Sequence, residues 1–151
     1  MKNIDVKKLS DGIYKAVDII AREQLKNDWS ETQPISLTIP SKLKGIYNIR
    51  HANKKIYYLG MGNINMRRHR HHRVFMNSGK ALVSENGRSS DSPCANKMYS
   101  FDNDVENWYI DYLVLDENIH KKVKDAVMKR MEEILSENFH PEFCTEHMVG
   151  K

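Results

Sequence analysis

The chain has 151 residues, enough for one domain with one main body and too few for two independent ones. Its 40% hydrophobic and 29% charged content is ordinary for a globular protein, and no apolar run approaches the roughly 20 residues needed to cross a bilayer, so the sequence argues against a membrane protein. An excess of 24 Lys+Arg over 20 Asp+Glu leaves a net charge of +4, which permits a polyanionic partner without requiring one.

The first residues, Met1 to Asp5, become charged again at Lys7 and Lys8 and offer neither an apolar signal core nor a small-residue cleavage site. A cytoplasmic protein is expected. Cys94 and Cys144 lie far apart and form no metal-type pair, which fits free thiols in a reducing compartment.

Residues 11–26 carry Ile13, Tyr14, Val17, Ile20, Ala21 and Leu25 at helical spacing, with Ser10 or Asp11 available as a cap. Residues 33–40 alternate through Ile35, Leu37 and Ile39 up to Pro40, the pattern of an extended arm or edge strand. Two short strands, 45–49 and 55–59, flank the turn-like His51-Ala52-Asn53-Lys54 and predict a β-hairpin. Residues 63–75 can form a helix whose apolar face (Ile64, Met66, Val74, Phe75) is thin, as it would be beneath nucleic acid. Residues 77–92 are rich in Ser, Gly and Asn and read as a loop. Ser92-Pro93 then fits the cap and first turn of a short helix through Lys97 to Phe101.

Residues 108–115 alternate as a strand, with Trp108, Ile110, Tyr112 and Val114 on one face, and 117–138 read as a long helix burying Val123, Val127, Met131, Ile134 and Leu135. The expected fold is α+β: a small three-stranded antiparallel sheet flanked by helices. It divides into an N-terminal helix and arm over 1–42 and a main domain over 43–151 that carries an insertion at 77–101.

Chemistry concentrates between the hairpin and the following helix. Tyr47 and Tyr58 stand eleven positions apart on paired strands and can share a face; Arg68 follows ten beyond Tyr58, and Arg68 and His72, four apart, stack on a helix. Around them Arg67, His69, Arg70, His71 and Arg73 concentrate positive charge. Phosphodiester hydrolysis needs an activated oxygen nucleophile, neutralisation of charge on the phosphoryl oxygens and an anchor for a divalent cation. The tyrosines, Arg68 with His72, and a distant helical carboxylate can supply these. Glu132 sits at the border of the apolar stripe near Met128 and Leu135, whereas Glu133 points away, so Glu132 is the candidate metal ligand. Gly60 at the strand end would let backbone and phosphate approach closely.

Each feature has a plainer reading. Hairpin tyrosines usually pack, an isolated helical glutamate is usually solvated, and Trp108, Tyr109 and Tyr112, which could stack bases, are better explained as core. The histidines 69, 71 and 72 are poor metal ligands because the arginines among them repel a cation. Gly12-Ile13-Tyr14 inside the first helix repeats the string Gly45-Ile46-Tyr47 by chance, since eleven positions after Tyr14 stands Leu25 and no Tyr-x-Gly follows.

The strings Gly45-Ile46-Tyr47 and Tyr58-Leu59-Gly60, in register with Arg68, His72, Glu132 and then Pro141, resemble the GIY-YIG nucleases over about residues 44–144. Leu37-Thr38-Ile39-Pro40-Ser41-Lys42 and Ser90-Asp91-Ser92 look like segments of the stand-alone phage enzymes of the endonuclease II type, which cut double-stranded DNA. The resemblance implies a metal-dependent DNA endonuclease using Mg²⁺ or Mn²⁺, with Tyr47, Tyr58, Arg68, His72 and Glu132 catalytic and Glu132 on the metal. Gly60, Arg67, Arg70, Arg73 and Lys97 would contact DNA. Cys144 stands where the family commonly has Asn, and Gly62 and Asn65 replace its usual Thr or Ala and an apolar residue. The other readings are a non-cleaving nucleic-acid-binding module and a basic adaptor for a protein partner. Because one site cuts one strand, a homo-oligomer, dimer or tetramer, is expected on DNA, with the N-terminal helix contributing to the contact.

Overall fold

The computed structural model describes residues 3–53, 56–77 and 93–138. Helix α1 spans Val6–Gln24 and starts five residues earlier than the apolar spacing suggests, because Asp5 caps it by accepting the Lys8 amide at 3.1 Å. Four strands follow: β1 (Gln33–Pro34), β2 (Lys44–His51), β3 (Ile56–Asn63) and, after helices α2 (Ile64–Met76) and α3 (Pro93–Phe101) and a 3₁₀ turn at Val105–Asn107, β4 (Trp108–Val114). Helix α4 (Lys124–Asn138) closes the described chain.

The sheet has four strands, not the three expected, in the order β1-β4-β2-β3, and every pairing is antiparallel. The additional strand is the start of the arm, where Gln33 pairs with Ile110 and Pro34 with Tyr109. Proline has no amide hydrogen to extend the ladder. Ile35 makes one further bond to the Trp108 carbonyl at 3.0 Å, and the chain then turns, Leu37 bonding back to Pro34. The expected alternation therefore fails midway: Ile35 and Ile39 are buried while Leu37 is 55% exposed.

Strand β2 is central and both its faces are buried. Tyr47 and Ile49 join Tyr58, Ile110 and Trp108 in a core completed by Ile35 and Ile39 of the arm, Ile64 of α2, and Cys94 and Met98 of α3. Ile46 faces the other way with Leu113 and Leu115, beneath Ala21 of α1 and Val127, Met128, Met131 and Ile134 of α4. The arm is thus part of the first core and α1 part of the second. Its C-terminal half packs on α4, strengthened by an Arg130–Asp18 ion pair at 2.7 Å. Its N-terminal half leaves Val6, Leu9, Ile13 and Tyr14 exposed.

The last helix begins seven residues later than its apolar pattern suggests. Asp116 accepts the Asn118 amide at 2.8 Å and the His120 ring accepts that of Lys122 at 3.1 Å, side-chain bonds that hold 116–122 in turns and delay the helix.

Candidate functional site

Antiparallel register places Gly60 directly opposite Tyr47, and Tyr58 opposite Ile49. The two tyrosines are thus diagonal neighbours on one face, and their rings stack with centroids 5.8 Å apart and planes 18° apart. Both lie over Gly60: a Cβ there would fall 2.5 Å from Cζ and Oη of Tyr47 and from Cε1 of Tyr58. The space that the sequence suggests for a phosphate over Gly60 is filled by these rings.

Helix α2 is set against this pair by its own first residues. Asn63 caps it, accepting the Met66 amide at 3.1 Å, and its side-chain amide donates to the Ser41 carbonyl at 2.8 Å. Asn65 Oδ1 accepts from the Ile39 amide at 3.0 Å and from Arg68 Nε at 2.9 Å. Arg68 Nη1 then donates to the Ile35 carbonyl at 2.9 Å. Three successive polar side chains thereby clamp the arm to the helix. Arg68 is 3% exposed, and burial without a carboxylate partner lowers the pKa of its guanidinium.

The imidazole that meets the tyrosines is that of His71. It is 2% exposed and packs edge-on, its centroid 4.6 Å from the Tyr58 ring and 6.1 Å from that of Tyr47. Burial, with the nearby charges of Arg67 and Arg70, pushes its pKa down to about 3, so the ring is neutral at ordinary pH. Among the described residues its Nδ1 has no hydrogen-bond partner. His72 is half-buried, and its pKa is lowered by burial and then by Arg68 and His69.

Arg67 is exposed, and its side chain lies along Gly62 of β3, with Nε 3.1 Å from where a Cβ would stand. Gly62 has φ 124°, a conformation that strains any side chain, which accounts for glycine at this position. Lys97 on α3 is exposed, and Arg70 and Arg73 are half-exposed. No acidic residue occurs in α2, so this face is cationic.

Glu132 is 1% exposed, on the helix that belongs to the other core, where α4 packs against β3 and β2. Glu133 is partly exposed and accepts from Arg130 at 3.2 Å. The structure therefore gathers Tyr47, Tyr58 and His71, sets Arg67 along Gly62, turns Arg68 onto the arm and leaves Glu132 buried on α4, the helix of the other core. Pro141, Cys144 and Ser90-Asp91-Ser92 lie outside the described residues. His71 and the asparagine clamp were not singled out by the sequence pattern. The available signal is Ile64, whose i+7 position on the inward face is His71.

A separate cavity of about 530 Å³ is lined by Thr32, Arg50, His51, Ala52, Tyr109 and Asp111. Its charges pair internally, since Asp111 accepts from Asn48, Arg50 and Thr32. Compared with protein-family models, curated proteins and solved structures, the chain shows no match.

Proposed function

We propose that the chain is a metal-dependent endonuclease that hydrolyses phosphodiester bonds in double-stranded DNA. The observation that carries this reading is the tyrosine pair, stacked at 5.8 Å and backed by a buried neutral imidazole at the foot of a cationic helix. A phenol hydroxyl held beside the scissile phosphate would orient an attacking water and pass on its proton. Guanidinium groups on α2 would hold the phosphodiester backbone.

Among the described residues no three metal-ligating groups cluster, so the donor set does not make an all-protein cage. In this reading Mg²⁺ or Mn²⁺ would be held by Glu132 together with phosphate oxygens and waters. Such an ion would neutralise charge on the phosphoryl oxygens.

Among the described residues no helix is long and apolar enough to cross a membrane. The activity would suit the cytosol of a bacterial or phage-infected host cell. Breaking both strands requires two sites or two visits, and the exposed stripe of Val6, Leu9, Ile13 and Tyr14 offers apolar surface for a second copy. The expected DNA complex is a homo-oligomer, dimer or tetramer, which light scattering with and without a duplex tests.

Supercoiled plasmid incubated with Mg²⁺ should become nicked or linear, and remain intact with chelator. Plasmid that is bound and never cut would instead favour a non-cleaving nucleic-acid-binding module on the same fold.

A further inference from the structure

Arg67 and Arg68 are chain neighbours with opposite environments. The Arg68 guanidinium is buried, and its two hydrogen bonds go to the Asn65 side chain and the Ile35 carbonyl, both neutral oxygens that hold the arm in place. At 3% exposure the rest of that guanidinium is closed off from solvent, and the residue it holds, Ile35, lies in the core with Tyr47. Arg67 is exposed and makes no such bond among the described residues. It lies over Gly62, two residues along β3 from the glycine covered by the tyrosine rings. One helical turn beyond Arg67 is His71, the ring in contact with both tyrosines. The charge of Arg67 is close enough to contribute to lowering the pKa of His71.

We infer that Arg67, rather than Arg68, supplies the guanidinium that grips the phosphate beside the tyrosine pair. This assignment deepens the endonuclease reading and rests on it. An exposed guanidinium can offer two parallel donors to the non-bridging oxygens of a phosphate arriving from solvent, whereas one buried under the arm is out of its reach. The helix is therefore used in a phase one residue earlier than counting from Tyr58 implies, with Arg67 and His71 as its i, i+4 pair.

Single-turnover cleavage of a plasmid at saturating enzyme separates the two arginines. Arg67→Ala should cut more slowly by on the order of a hundredfold or more while its unfolding midpoint is unchanged, and Arg67→Lys should recover part of the loss. Arg68→Ala should show itself first as a lowered midpoint and faster proteolysis of the arm at 33–43. Arg67→Ala that cuts at the wild-type rate overturns the inference, whatever Arg68→Ala does. If wild type does not cut at all, the endonuclease reading fails, and titration with inorganic phosphate followed by NMR of the Tyr47, Tyr58 and His71 rings still decides the assignment. Shifts that disappear in Arg67→Ala support it; shifts that persist there, or none in wild type, overturn it.

Discussion

Arg68 donates a hydrogen bond to the carbonyl of Ile35, a residue 33 positions earlier, at 2.9 Å, and so ties the helix beneath the site to the arm that precedes the sheet. The link runs through Asn65, which accepts from both Arg68 and Ile39. Removing the Asn65 amide leaves two partly buried donors without an acceptor, at a cost of about 1–3 kcal/mol. Asn65→Ala should lower the urea midpoint accordingly and speed proteolytic cutting between residues 33 and 43. Unchanged protection of that segment would contradict the clamp.

Glycine substitutions give a test with an internal control. Gly60→Ala places a methyl group 2.5 Å from both tyrosine rings, so they must separate, at about 1–3 kcal/mol, with loss of cleavage. Gly12→Ala projects into open space on the exposed helix α1 and should stabilise by roughly 0.5–1 kcal/mol. Thermal unfolding of the two variants should move in opposite directions.

Acid should destabilise the fold well above the carboxylate range. His71 resists protonation until about pH 3 when folded, whereas in the unfolded chain it takes up a proton near 6.5. The unfolded state binds more protons throughout that window. Stability is therefore complete above pH 6.5 and falls by about 1.4 kcal/mol per pH unit as the pH drops below it. His72, whose pKa is lowered too, adds to the slope. The depressed pKa values of Asp18 and Asp102 act only lower, where their stabilisation is lost as pH falls from the usual carboxylate range through their folded values. Urea unfolding of wild type and His71→Gln between pH 7.5 and 4.5 should give a clearly flatter profile for the variant.

The two neighbouring glutamates of α4 should separate metal dependence from surface charge. Glu132→Gln keeps the shape of a buried side chain but removes the anion, and should abolish cleavage supported by Mg²⁺ while duplex binding persists. Glu133→Gln loses only a partly exposed bond to Arg130 and should cut like wild type. Equal rates for wild type and Glu132→Gln would overturn the proposal that Glu132 holds a metal ion.

The legible parts of this fold were those with local causes. Alternation around Tyr47, Tyr58 and Ile110 marks three strands, and the asparagine at 63 marks the start of α2. The fourth strand was legible only as an extended arm or edge strand over 33–40, and of that stretch just the two residues that meet β4, Gln33 and Pro34, pair. Both long helices start away from their expected positions because Asp5, Asp116 and His120 bond to nearby amides, and apolar spacing is blind to that competition. The tyrosine pair could be read from spacing because antiparallel register turns sequence offsets into neighbours. The phase of α2 could not. From Arg67 to Arg73 polar groups point in every direction around the helix, so only the apolar residues at its two ends, Ile64 and Val74 among them, remain to indicate which of them faces inward.

Strand β2 carries Ile46 and Tyr47 side by side, each essentially fully buried and each in a different core. A single inserted or deleted residue between 43 and 47 would exchange them, pushing a phenol among Met128 and Met131 and an isoleucine against the Tyr58 ring. The hairpin therefore has a fixed length measured from its central strand. Changes in its length can be absorbed at its tip, beyond His51, and an engineered insertion meant to leave both cores intact belongs there.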